Sequence, residues 1–349
     1  MKLILMKWSA SFLSFFVFIL PALSKNPHGA APRDEPSKEF SPAAKKSPSD
    51  GIEIPKTQHP YSVRIIVDGG GCSGTLVGFS PPTVVSAGHC FVDPETGNQL
   101  SPGEISIEYQ DKDMEKPVTL KAKKILASPD IAEFALTQEK VGNEWEKAYA
   151  AYQAMGGDKS SVDKNKFIRD ELKKKFSDSE IDAVFGLIPP LKIDLAVLTF
   201  EGTLPQRVVL PKISKRERGE KESLGIVSFS ENLKSETEFE PDGIERKTIG
   251  IVLPRKADAH TFTFLSTRGD KKNSTFFNPT LFPGDSGGSV LRLSGKNPIL
   301  QGLVSSGYQA NEQNPKLQIN GLKDLGTKES QSFLKEATKK IDADISFEN

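Results

Sequence analysis

Cysteine and histidine are scarce: two cysteines and four histidines stand among 349 residues. Two cysteines exclude a disulfide-dense miniprotein and a four-cysteine zinc site. Four histidines leave little room for a histidine-rich metal centre, so neither a metal nor another cofactor is expected. A surplus of charge is missing as well. Lys and Arg total 46, Asp and Glu total 46, and the formal net charge is zero. A nucleic-acid binder ordinarily carries a basic surplus to meet phosphates, which removes nucleic acid from the expected partners. Beyond the N-terminus no apolar run reaches the length of a membrane span. What the chain does have is 36% hydrophobic and 26% charged residues, the balance of a soluble chain able to bury a core.

The first 24 residues have the form of a secretory signal peptide. Lys2 and Lys7 give a positive start, and the apolar run Phe12–Leu20 is too short to span a bilayer. Pro21-Ala22-Leu23-Ser24 supplies small residues at cleavage spacing, and the cut is expected after Ser24. No cysteine near the cut offers a lipid anchor. The mature chain is therefore expected to be secreted or periplasmic, without stable membrane association, where two cysteines can pair. Residues 25–54 read as a disordered linker or propeptide, because 25–50 hold five prolines and no Ile, Leu or Val.

From Tyr61 the texture changes to short β-branched runs divided by Gly and Pro: Tyr61–Val67, Gly74–Phe79, Thr83–Ser86 and Ile105–Tyr109. Such runs argue for an all-β sandwich or barrel. Residues 131–190 break the pattern. Val141, Trp145, Ala148, Tyr149 and Tyr152 recur at helical spacing, Gly156-Gly157 ends that helix, and Phe167–Phe176 and Ile181–Ile188 suggest two more. Strands resume at Lys192–Leu198, Leu224–Phe229, Thr248–Leu253, Thr261–Leu265, Ser289–Leu293 and Ile299–Ser305, and a last helix carries Phe333, Leu334, Ala337 and Ile341 on one side.

Two short motifs carry the chemistry. Gly284-Asp285-Ser286-Gly287-Gly288 places a serine among glycines. A serine hydroxyl needs a neighbouring base to become a nucleophile, and attack on a carbonyl creates an oxyanion that needs preorganised N–H donors. Glycines let the backbone bring such donors close to a substrate. The second motif is Ser86-Ala87-Gly88-His89-Cys90, directly after the apolar run Thr83–Val85. Cys90 can bridge back to Cys72 and pin the backbone beside His89.

Together these stretches resemble the trypsin/chymotrypsin family of serine proteases. Cys72–Val77 and Val84–Cys90 look like its first cysteine, strand pair and catalytic histidine; Asp285–Gly288 looks like its nucleophile loop, and Gly302–Gly307 like the strand beside its primary pocket. The resemblance covers roughly 55–345. It implies two six-stranded antiparallel β-barrels, with the helical stretch inserted in the first and a helix at the C-terminus. It also implies a secreted serine endopeptidase, a polypeptide substrate and a monomer.

The third triad member must be an acid between His89 and Ser286. Asp194 stands immediately before the apolar strand Leu195–Leu198, whereas Asp130 is followed by the charged Glu133, which suits a buried strand poorly. Asp194 is favoured over Asp130 on that ground. The resemblance implies that His89 takes the Ser286 proton, Asp194 orients the imidazole, and the N–H groups of Gly284 and Ser286 form the oxyanion hole. Thr280 stands where the family places the floor of the primary pocket, and Ser305, Ser306 and Gly307 would edge that pocket and bond an extended substrate. A neutral Thr280 points to small or medium uncharged side chains in the substrate. Asp285 is the residue that pairs with a freshly cut N-terminus in many relatives, yet Gly51-Ile52-Glu53-Ile54 departs from their usual start; a zymogen and a chain needing no cut both stay open. The alternative function is a silent homologue acting as a binding module, although such homologues usually lose a triad member.

Overall fold

The computed structural model describes residues 52–348 apart from 68–69, 94, 157–160, 179, 182–192, 220–221, 234–240, 268–280, 282–283, 293–296 and 310–316. The expected signal peptide and most of the expected linker lie outside these. The described residues nevertheless start inside the segment expected to be linker. Ile52–Glu53 forms β1 and Ile54 is buried, because an apolar residue at every second position can add one more edge to a sheet.

The first half is a closed barrel of six antiparallel strands: β2 (Ser62–Val67), β3 (Gly70–Phe79), β4 (Pro82–Ser86), β5 (Ile105–Tyr109), β6 (Val118–Ala127) and β7 (Ala196–Phe200). Their order is β2-β3-β4-β7-β6-β5, and β5 pairs back onto β2. Alternation along β5 puts Ile105, Ile107 and Tyr109 inside. Along β6 it buries Leu120, Ala122 and Ile125 and leaves Lys121 and Lys123 in solvent. In β4 and β7 every residue is buried, because one face fills the barrel and the other is covered by the rest of the molecule.

The second half is one sheet. Its body is six strands: β9 (Leu224–Leu233), β10 (Pro241–Val252), β12 (Thr261–Thr267), β13 (Ser289–Arg292), β14 (Ile299–Gln309) and β15 (Leu317–Asp324). Three two-residue pieces extend it: β1 on β10, β11 (Arg255–Lys256) on β12, and β8 (Lys212–Ile213) beside β14. All pairings are antiparallel except β8 with β14. The two expected six-stranded antiparallel barrels are thus present as one closed barrel and one half-barrel, the second sheet not closing on itself. Val227, Leu291, Leu300 and Leu303 of this sheet join the first barrel's interior in one apolar core.

Helix α1 (Asp130–Ala154) and helix α2 (Ser161–Leu172) leave the first barrel between β6 and β7, as an insertion. They carry a separate small core of Val141, Ala148, Ile168, Leu172 and Ile181, with Trp145 stacked on Tyr149. Of the expected third helix only Ile181 is described. Helix α3 (Lys328–Lys340) closes the chain. Thr327 caps it by accepting from the Ser330 N–H, Glu329 and Lys339–Lys340 suit the helix dipole, and Phe333, Leu334 and Ala337 enter the shared core. Among the described residues no helix is long and apolar enough to cross a membrane.

Candidate active site

Strand β4 ends in a single 3-10 turn, Gly88–Phe91, which carries His89. Gly88 is required here: a Cβ would lie 2.4 Å from the Ile131 Cδ1 and 2.8 Å from the Leu195 carbonyl oxygen. The turn thus sits directly on the chain that enters β7, where Asp194 stands. Cys72 on β3 and Cys90 form a disulfide, which ties the residue after His89 to the neighbouring strand.

Asp194 is 1% exposed, and all of its recorded partners are donors. Its Oδ1 accepts the His89 backbone N–H at 3.0 Å. Its Oδ2 lies 2.9 Å from His89 Nδ1 and accepts the Ser305 hydroxyl at 2.5 Å. An ionised carboxylate only accepts, so Nδ1 carries the imidazole proton and Nε2 is left as an acceptor. The Ser286 Oγ lies 2.9 Å from that Nε2 and is placed to donate to it. The His89 side chain keeps 38% of its surface exposed; its partial desolvation would lower the pKa, but the charge and hydrogen bond of Asp194 outweigh that and raise it above 6.5. Burial alone would raise the Asp194 pKa; the charge and bonds of His89, with the Ser305 bond, pull it below 3.8.

Ser286 is held by a tight loop. Gly284 and Gly287 have φ of +95° and +81°, a region where a side chain is strained. At Gly287 a Cβ would also meet the Ser86 hydroxyl at 2.1 Å and the Ser73 carbonyl oxygen at 2.2 Å. The Gly287 N–H donates to the Val304 carbonyl and the Gly288 N–H to the Asp285 carbonyl, both at 2.8 Å. The Asp285 side chain is buried and accepts the Ser228 hydroxyl of β9.

The structure thus brings His89, Asp194 and Ser286 into one hydrogen-bonded line. It places Asp130, the other candidate acid, as the first residue of α1 instead. Ser305 was expected at a pocket edge; its hydroxyl is turned to Asp194, so the side chain braces the acid. Ser306 and Gly307 continue β14 past this point, and Thr280 lies outside the described residues. Ser228, Ser73 and Asn320 were not singled out from the sequence. The Asn320 amide, fully buried on β15, donates to Ser266 and accepts the Leu281 N–H, five residues before Ser286. Isolated serines and asparagines carry no signal of such roles in a sequence. Among the described residues no three His, Cys, Asp or Glu side chains cluster as metal ligands would.

This geometry can do one thing readily: move a proton from a hydroxyl to an imidazole backed by a carboxylate. The trypsin family model matches residues 49–144, the part of the chain that contains His89. A solved structure titled as a Glu endopeptidase in complex with MPD is similar over 83% of this chain and 97% of its own, at 14% identity and a TM-score of 0.49. No curated protein matches the sequence. The chain is similar to the trypsin family over the matched stretch, and it joins a closed six-stranded barrel to an open sheet built on six main strands.

Proposed function

We propose that this trypsin-like chain is a secreted serine endopeptidase that cleaves polypeptides through an acyl-enzyme. The observation that carries the reading is the unbroken line Asp194–His89–Ser286, with 2.9 Å at both imidazole nitrogens. As the Ser286 oxygen attacks a peptide carbonyl, its proton passes to His89 Nε2. The carbonyl oxygen becomes an oxyanion facing the Gly284 and Ser286 N–H groups, neither of which has an acceptor among the described residues. Loss of one such donor typically costs about 3 kcal/mol of transition-state stabilisation. His89 then gives its proton to the departing amine, leaving an ester on Ser286. Water, deprotonated by the same nitrogen, attacks the ester, and the proton returns to the Ser286 oxygen as the acid leaves. Asp194 stays ionised throughout and favours the charged imidazole. The disulfide and the N-terminal sequence support secretion.

The test is labelling of the secreted chain by a fluorophosphonate, together with cleavage of an unstructured protein substrate. The wild-type chain is expected to label and cleave, and Ser286→Ala and His89→Ala to do neither. A wild-type chain that does neither, before and after trial proteolysis near residue 52, overturns the proposal.

A further inference from the structure

Ser73 lies on β3 beside Cys72 and is 0% exposed. Each of its polar groups is engaged, two of them, the N–H and the hydroxyl, on the second half of the molecule. Its N–H donates to the Ser286 carbonyl at 2.8 Å. Its hydroxyl donates to the Gly284 carbonyl at 2.8 Å, with the Phe229 carbonyl a longer alternative at 3.3 Å. The same oxygen accepts the Phe229 N–H at 2.7 Å. Its carbonyl accepts the Ser86 hydroxyl at 2.7 Å. Neighbouring strand residues point to opposite faces. Cys72 therefore ties down the His89 turn while Ser73 reaches the nucleophile loop.

The hydroxyl matters because of what it holds. Gly284 has no side chain and sits at φ +95°, packed so close to β9 that a Cβ would lie 2.7 Å from the Phe229 carbonyl oxygen. Peptide planes flanking such a glycine rotate at little cost unless bonded at both ends. The backbone bond from Ser73 to Ser286 would exist with any residue at 73. The bond to Gly284 exists only because residue 73 carries a hydroxyl.

We infer that the Ser73 hydroxyl is a positioning group for the oxyanion site: it fixes the Gly284 carbonyl, and with it the Gly284–Asp285 peptide plane that joins the two donor residues, and so sets how the Gly284 and Ser286 N–H groups stand to one another. The inference rests on the proposed protease reading and extends it to a residue outside the triad. Substituting Ser73→Ala keeps the strand and removes the hydroxyl, and is expected to lower kcat by roughly 10- to 100-fold, less than outright loss of an oxyanion donor because the N–H groups remain but are no longer held in place. KM stays within about threefold, since ground-state binding is untouched. The acid limb of the pH profile stays in place, because His89 and Asp194 are untouched. Affinity for a peptidyl boronate, which mimics the tetrahedral state, falls in parallel with kcat. Ser73→Thr, which restores the hydroxyl, recovers most of the rate. Should Ser73→Ala not fold, Ser73→Gly is read for the same quantities. A kcat within twofold of wild type, a loss confined to KM or to thermal stability, or a shift of the acid limb overturns the inference. A wild-type chain that fails to label with fluorophosphonate instead overturns the protease reading, so the two failures are distinct.

Discussion

The two halves of the molecule bury different things. Inside and around the first barrel the buried side chains are aliphatic or aromatic, joined by small hydroxyls and by two charged residues, Asp111 and Asp194. The second half buries Arg218, Lys247, Asp285, Arg292, Lys323 and Asp324, with Gln301 and Asn320 between them. Lys247 donates to three backbone carbonyls, those of Lys56, His59 and Ser62, and so fastens the N-terminal turn to β10. Arg292 reaches Ser214 at 2.7 Å, Glu348 at 2.8 Å and Gln301 at 2.9 Å, joining β13, β14 and the C-terminal residues. The contrast separates two ways of fixing a chain. Apolar burial has no direction, and it suits a closed barrel whose geometry is already set by its strands. Hydrogen bonds have direction, and they suit an array of strands and long loops that must present a glycine turn at one angle.

The largest effect tests the exception in the first half. Asp194→Asn is expected to leave the barrel folded and, on the proposed mechanism, to lower the cleavage rate by roughly 10⁴-fold, the loss found when an amide replaces the acid of a Ser–His–Asp triad. Steady-state kinetics with a circular dichroism control read both. An effect under tenfold would make the first half a passive shell.

A pair of core substitutions then sets the halves against each other. Leu76→Ala, at a fully buried barrel position, is expected to cost about 2–5 kcal/mol in denaturant unfolding, largely independent of pH. Gln301→Leu adds apolar surface at constant size, yet is expected to destabilise by about 2 kcal/mol. It leaves Arg292, the Arg216 carbonyl and Asp324 without their present partner. If Gln301→Leu stabilises the protein, the two halves are held alike and the contrast dissolves.

A smaller effect is the pH profile. In the proposed mechanism the base form of His89 is the active one, and Asp194 raises its pKa above 6.5, so the acid limb of kcat/KM should have its midpoint above that value. In Asp194→Asn the midpoint moves to lower pH. Stability follows the opposite sense. The raised His89 pKa adds stability that is present below pH 6.5 and fades as the pH rises through the folded value. The lowered Asp194 pKa adds stability that is present above 3.8 and fades as the pH falls. The pair therefore stabilises the fold most between those limits, while activity is greatest above them. A midpoint below 6.5 would mean that burial, not Asp194, governs the imidazole.

The smallest effect belongs to the insertion surface. Glu144, half-buried, bridges the exposed Lys147 and Lys175 at the surface, and Glu144→Ala should leave the melting midpoint unchanged within error. A clear drop would show that the helical insertion is stabilised by its surface charges, unlike either half of the molecule.

Much of this was legible in the sequence, and the exceptions have physical reasons. β5 alternates cleanly and is visible at Ile105–Tyr109. β6 is harder to see because lysines fill its solvent face, and β15 because Asn320, Lys323 and Asp324 are polar residues that it buries. His89 and Ser286 stand out through the glycines and cysteine that shape their turns. Asp194 stands out through the apolar strand behind it. Ser73, Ser228 and Ser305 do not, since their partners lie 211, 57 and 111 residues away and nothing local marks a serine for such a bond.

The insertion leaves the barrel through a doorway that is shut behind it. Ala127 pairs with Ala196, and the Ser128 N–H donates to the Leu195 carbonyl at 2.9 Å, one residue beyond Asp194. β6 and β7 therefore meet as the arms of an ordinary hairpin would. The entropy of closing a loop grows only with the logarithm of its length, so the seam scarcely registers how many residues it fences off. A growth of this kind can be lengthened, trimmed or re-shaped over generations while the acid at its foot keeps its place.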